Sequence, residues 1–291
     1  MTGHQPYESR YFHYAGRIPI HYQVAGHGPD PLIFLHGFAS AHSTWHDMAG
    51  FFPMDRFRLF LLDLKGFGLS SKPKDGAYSV EDQADVVRDF ILELGLCSVT
   101  IIGHSLGGAV ALRIVLQELQ GDVPFAVSRL VLIGCAAYPQ RLPKFFQRLK
   151  MPLLGPVLFR LIPARTMVRR TLERVIFDAK AVKPERFERY RSYLRGKGVP
   201  HVLRATVKGI DPEVYARIGE SYRKIAIPTL IIWGEEDRII KLQNGVRLHG
   251  DIPGSRLKVV AKCGHNPHEE RPGDTFDAIN AFLTPAPQPI K

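Results

Sequence analysis

Cysteine is scarce in this chain: Cys97, Cys135 and Cys263 are the whole supply among 291 residues. An odd count at scattered positions, with no C-x-x-C spacing, excludes a disulfide framework and a cysteine-based metal site. Long apolar runs are missing too; none approaches the ~20 residues that cross a bilayer. The first seventeen residues are polar and aromatic and hold no apolar h-region, so the expectation is a cytoplasmic protein without a secretory signal. No internal repeat is visible. Acidic residues run short in one place. Residues 138–224 hold 21 Lys and Arg against 7 Asp and Glu, whereas the remainder holds 18 against 21. The whole net charge of +11 therefore originates in one segment, and this shift marks a domain boundary. No nucleic-acid motif accompanies the basic residues, and charge alone is non-specific, so no nucleic-acid partner is expected.

What is present is ordinary globular composition, 45% hydrophobic and 23% charged, in a length suited to one large α/β domain with an insertion. Residues 10–15 and 18–24 read as two antiparallel strands. Buried strands follow at 31–35, 57–64, 98–103, 129–133, 228–233 and 256–260. Helical patterns lie between them at 43–52, with Ser43 as N-cap, at 79–94, at 109–119, at 241–248 and at 272–283. Ser79 and Asp82 form a capping box, and Gly95 ends that helix. Strands alternating with helices imply a mostly parallel sheet covered on both faces. The rhythm stops between Cys135 and Pro228. Short proline-broken apolar-basic segments and helical patterns at 164–177 and 184–194 fill the gap, which is too long for a connection. The division expected is therefore a core of residues 1–135 and 226–291 with a basic helical cap at 136–225.

The chemistry centres on Gly103-His104-Ser105-Leu106-Gly107. A β-branched run enters it and a helix leaves it. An abrupt strand-to-helix reversal crowds the backbone, so glycines two residues on either side of Ser105 answer a steric need. Ser105 then stands at the apex in strained geometry, at a helix N-terminus that favours negative charge. A serine hydroxyl needs a base. Of twelve histidines, His265 directly follows the last predicted strand, at the carboxyl edge where groups serving an open α/β sheet belong. Asp237 follows the preceding strand at the same edge and is the acid that would orient it. Glu235 and Glu236 are adjacent alternatives of loop character. The backbone N–H groups of Leu106 and Phe38 are the donors expected to hold an oxyanion. His36 either braces its loop or contacts substrate. His265, His268 and Glu269 match no zinc-ligand spacing, so no metal and no cofactor are expected.

The ordered set His36-Gly37-Phe38, Asp63 with Gly66-Phe67-Gly68-Leu69-Ser70, the Ser105 elbow, Trp233-Gly234-Glu235-Glu236-Asp237 and Gly264-His265-Asn266-Pro267-His268-Glu269-Glu270-Arg271-Pro272 resembles the α/β-hydrolase superfamily. The likeness covers about residues 10–283 apart from the insertion. It implies an α/β-hydrolase fold and a triad in the order Ser105, Asp237, His265, and it gives Asp63 a structural part. Serine at the nucleophile position departs from the haloalkane dehalogenase and epoxide hydrolase branches, which use Asp there. Within the superfamily the chain looks like the serine esterase and monoacylglycerol-lipase-like branch.

Substrate is the open question. Phe145, Phe146, Leu158 and Phe159, set among basic residues, would contact an acyl chain. The first expectation is hydrolysis of a lipophilic carboxylic ester, with peripheral contact between the basic cap and an anionic membrane surface. Two alternatives stand beside it: cleavage of a C–C bond in a vinylogous diketone, and a non-enzymatic ligand receptor on a hydrolase scaffold.

Overall fold

A computed structural model describes residues 7–139 and 163–284 of the chain. In chain order the strands are β1 (Glu8–Tyr14), β2 (Ile18–Ala25), β3 (Asp30–Leu35), β4 (Phe57–Leu62), β5 (Ser98–His104), β6 (Ala126–Ile133), β7 (Thr229–Gly234) and β8 (Arg256–Val260). Between β3 and β4 lie a 3₁₀ turn, His42–Trp45, and α1 (His46–Ala49). Helices α2 (Val80–Glu93) and α3 (Leu106–Leu119) flank β5. Four helices described between β6 and β7 are α4 (Ala164–Val175), α5 (Pro184–Tyr193), α6 (Val199–Lys208) and α7 (Pro212–Glu220). The chain ends through α8 (Leu242–Asp251), α9 (Pro267–Glu270) and α10 (Pro272–Leu283).

The eight strands form one sheet in the order β1-β2-β4-β3-β5-β6-β7-β8. The β1/β2 and β2/β4 pairs are antiparallel, and every later pair is parallel. Side chains alternate across a strand, and the two faces divide accordingly. Ile33, Leu35, Phe60, Leu62, Ile101, Leu132 and Trp233 pack with α2, α3 and Leu248 of α8. Leu32, Phe34, Leu59, Leu61, Ile102, Val131 and Ile232 pack on the opposite face with Trp45, Met48, Ile279 and Leu283. The buried strands are apolar nearly throughout because both faces are covered.

The described helices between β6 and β7 pack in two parts. Val199, Val202, Leu203 and Val207 of α6 and Tyr215 of α7 join the first sheet face, whereas Val168, Leu172, Ile176 and Tyr190 of α4 and α5 make a small cluster of their own. No helix among the described residues is long and apolar enough to cross a membrane.

Local expectations hold in α2, whose N-terminus carries the Ser79–Asp82 capping box, and at Gly95, which takes φ +61° beyond the helix end. The helix expected at 43–52 is different. Ser43 is not its cap; Ala41 precedes a 3₁₀ turn, and the Ser43 hydroxyl bonds the Tyr193 hydroxyl at 2.9 Å instead. A tertiary partner has taken the oxygen that a cap would use. Helices α6 and α7 were not signalled by apolar periodicity, although Pro200 and Pro212 in their first turns and the Asp211 side chain accepting the Glu213 N–H mark their starts.

Candidate active site

Strand β5 delivers Ser105 and α3 carries the chain away. The backbone at Ser105 has φ 52° and ψ −113°, a conformation that costs a non-glycine residue ~1–3 kcal/mol and persists only where the surroundings enforce it. Here the Ser105 N–H donates to the Ile133 carbonyl at 3.0 Å, and the Ser105 carbonyl accepts the Ala136 N–H at 3.1 Å. Both flanking glycines are sterically required. A Cβ on Gly103 would lie 2.5 Å from the Gly107 oxygen, and one on Gly107 would lie 2.1 Å from the Leu35 oxygen.

Three loops at the carboxyl ends of β5, β7 and β8 converge on this point. His265 Nε2 lies 3.0 Å from Ser105 Oγ, and His265 Nδ1 lies 2.7 Å from Asp237 Oδ2. Asp237 and His265 are 6% and 4% exposed, so the pair works out of bulk water. The other Asp237 oxygen, Oδ1, accepts the N–H groups of Ile239 (2.8 Å) and Ile240 (2.9 Å), which fixes the carboxylate plane. That arrangement sets the tautomer: Nδ1–H donates to Asp237, leaving Nε2 as acceptor for the serine proton. Of the neighbouring carboxylates, Glu235 is exposed and Glu236 accepts the Cys263 N–H at 2.9 Å.

The loop after β3 presses on the elbow: a Cβ on Gly37 would meet His104 Nδ1 at 2.8 Å and Ser105 Cβ at 3.1 Å. Phe38 follows directly, and Leu106 opens the first turn of α3, where backbone N–H groups have no partner within the helix. His36 is fully buried. Its Nδ1–H donates to the Gly37 carbonyl at 2.8 Å and its Nε2 accepts the Leu64 N–H at 3.1 Å. Both ring nitrogens are spent on bracing, the first of the two parts expected for His36, and neither is left for the substrate contact that was its alternative. Phe145, Phe146, Leu158 and Phe159 lie outside the described residues.

Several residues pack around His265 in a part that the sequence did not assign to them. His104 Nε2–H donates to the His265 carbonyl at 3.0 Å, and its ring packs between His265 and His268 at centroid distances of 4.8 and 4.5 Å. Burial, with the neighbouring imidazoles, holds His104 and His268 well below the usual histidine range, so both stay neutral beside the base. Glu270 gathers the Gly264, Asn266 and Phe177 N–H groups at 3.0, 3.1 and 2.7 Å. The His265 N–H donates to the Val175 carbonyl at 2.6 Å. Burial pushes the Cys263 thiol up, so it is inert at neutral pH.

One cluster elsewhere has metal-ligand residue types: His21, His42 and Asp63, all buried. Both imidazole Nδ1 atoms aim at Asp63 Oδ2, at 2.8 and 2.9 Å, and the Leu69 N–H donates to the same oxygen at 2.9 Å. The His42 N–H donates to Asp63 Oδ1 at 2.7 Å. The carboxylate is saturated by donors from β2, the 3₁₀ turn and the loop after β4, and this set is a structural tie with no lone pair directed at a shared ion.

Comparison with known proteins agrees with the geometry. The family described as "alpha/beta hydrolase fold" matches residues 30–272. The chain is 28% identical over 268 residues to the uncharacterized hydrolase YugF of Bacillus subtilis, covering 90% of this chain and 92% of that protein. It is 29% identical over 257 residues to a 2-hydroxy-6-oxononadienedioate/2-hydroxy-6-oxononatrienedioate hydrolase of a Pseudomonas species, covering 84% and 85%. The crystal structure of an alpha/beta hydrolase fold protein from Burkholderia ambifaria superposes with a TM-score of 0.81 at 25% identity, over 95% of this chain and 99% of that one. With a matching family model over most of its length and the eight-stranded sheet to go with it, the chain belongs to the α/β-hydrolase fold family.

Proposed function

We propose that the protein is a serine hydrolase that cleaves a carboxylic ester of a lipophilic acyl group through an acyl-enzyme. The observation that carries this reading is the unbroken relay from Ser105 Oγ to His265 Nε2, 3.0 Å, and from His265 Nδ1 to Asp237, 2.7 Å. Ser105 Oγ attacks the ester carbonyl while His265 Nε2 takes its proton. The oxyanion forms against the N–H groups of Leu106 and Phe38, an interaction worth roughly 10²–10³ in rate per donor. His265 returns the proton to the leaving alkoxide oxygen as the C–O bond breaks. Water, deprotonated by the same nitrogen, then attacks the acyl-Ser105 carbonyl; the bond from the acyl carbon to Oγ breaks, Oγ takes the proton from His265 Nε2, and the acid is released. Asp237 orients the ring through Nδ1 and stabilises the imidazolium.

Likeness to the Pseudomonas hydrolase favours a second reading, C–C cleavage of a vinylogous diketone. A dienedioate carries two carboxylates and needs spare cations. Arg186 and Arg189 on α5, beside the His265 loop, are committed elsewhere: Arg186 bonds Asp47 at 2.9 Å, and Arg189 reaches Asp47 at 3.2 Å and the Glu269 carboxylate at 3.8 Å. Among the described residues these two cations beside the His265 loop are already paired, which supports the ester. A receptor role has no use for a preserved proton relay.

In this reading residues 136–225 form the cap, and Phe145, Phe146, Leu158 and Phe159 would contact the acyl chain. Arg165, Arg169, Arg170 and Arg174 on the exposed side of α4 suit peripheral contact with an anionic membrane surface. The test is a substrate panel of p-nitrophenyl butyrate, p-nitrophenyl laurate and a 2-hydroxy-6-oxo dienedioate ring-fission product. Turnover of the esters, abolished in Ser105→Ala, is the expected result. Decay of the dienedioate absorbance with both esters intact establishes the second reading. Thermal stabilisation by these compounds without turnover establishes a receptor.

A further inference from the structure

Resting on the reading of His265 as the base, we propose that Tyr190 of α5 is a positioning residue for it, acting through Glu269 and Asn266. Glu269 lies four residues after the base and is only 1% exposed. Tyr190 O–H donates to Glu269 Oε2 at 2.5 Å. The Asn266 amide donates to the same carboxylate oxygen at 2.9 Å and also contacts the Tyr190 oxygen. Arg186 holds the Glu269 backbone carbonyl at 2.8 Å. Asn266 is the residue next to His265, so a hydroxyl from the insertion fixes the chain immediately beyond the base.

Two further contacts make the same connection. The His265 N–H reaches the Val175 carbonyl, and Glu270 joins the Phe177 N–H to those of Gly264 and Asn266. Gly264 permits this approach, since a Cβ there would lie 2.5 Å from the Val175 oxygen. The base is therefore held on one side by Asp237 and on the other by the segment between β6 and β7.

Energy points to a positioning role. Burying a carboxylate is costly, and Glu269 Oε1 makes no hydrogen bond, with Arg189 3.8 Å away. Replacing buried ionic groups by well-packed apolar ones of similar volume is often neutral or stabilising. What the Tyr190–Glu269–Asn266 group supplies and an apolar pair does not is directional bonding, and loss of orientation at a reacting group can cost roughly 10²-fold in rate.

The test compares wild type with Tyr190→Phe, Glu269→Gln and Glu269→Ala, following steady-state hydrolysis of p-nitrophenyl butyrate and backbone hydrogen exchange in the same samples. Tyr190→Phe is expected to lower kcat roughly ten- to a hundredfold with KM held within about twofold, and to speed exchange at residues 264–270 but not in β5 or α2. Glu269→Gln, which still accepts from Tyr190, is expected to keep most of the activity, and Glu269→Ala to behave like Tyr190→Phe. Wild-type kcat and unchanged exchange in Tyr190→Phe overturn the proposal, as does faster exchange spread through β5 and α2. Should wild type hydrolyse neither p-nitrophenyl butyrate nor p-nitrophenyl laurate, the ester reading fails, and the exchange measurement alone decides whether Tyr190 fixes the loop.

Discussion

Asp63 shows what one residue contributes when it is fully enclosed. Burial alone would raise its pKa, but hydrogen bonds from His21 and His42 outweigh that and hold it far below the usual carboxylate range. In the unfolded chain an aspartate takes up its proton near pH ~4, whereas the folded one resists until much lower pH. Between those limits the unfolded state binds more protons, so stability falls as pH falls. Urea unfolding followed from pH 7 downward should therefore show full stability above pH ~5 and a progressive loss below ~4, with the slope reduced in Asp63→Asn. A flat profile in wild type would remove the carboxylate from the list of stabilising ties. Ser105 is the opposite case, a residue held in strain. Its glycine neighbours were legible in the sequence because the need for a missing Cβ is local. The Tyr190–Glu269 contact was not legible: the two residues lie 79 positions apart, and the run that carries Glu269 names no partner for it.

At the scale of elements, α2 was readable from both ends. Ser79 Oγ accepts the Asp82 N–H at 3.1 Å and Asp82 Oδ2 accepts the Ser79 N–H at 2.8 Å, two bonds made entirely within the first turn. Ser79→Ala is expected to lower stability by about 1 kcal/mol in urea titration and to leave ester turnover unchanged. Loss of turnover would mean that α2 influences the site. The parallel strands were equally readable, since burial on two faces leaves near-continuous apolar runs. Elements whose form depends on distant partners were not. Ser43 gives its hydroxyl to Tyr193, so the helix expected after it begins instead as a 3₁₀ turn. Helices α6 and α7 are short, and their apolar residues find partners only once the sheet exists.

For the whole molecule, topology places Ser105, Asp237 and His265 on one edge. Parallel strands β5, β7 and β8 all end there, and residues separated by up to 160 positions meet because those strands share one direction. The described residues between β6 and β7 reach this edge, where Val175, Phe177 and Tyr190 touch the segment Gly264–Glu270 that carries His265. The central claim is that Ser105 becomes covalently acylated during turnover. Intact-protein mass spectrometry of a sample acid-quenched within milliseconds of mixing with p-nitrophenyl butyrate tests it most directly. The account predicts a butyryl adduct mapped to Ser105 that forms and decays with turnover and is absent in Ser105→Ala. Ester hydrolysis that continues in Ser105→Ala, or an adduct mapped to any other residue, would contradict it.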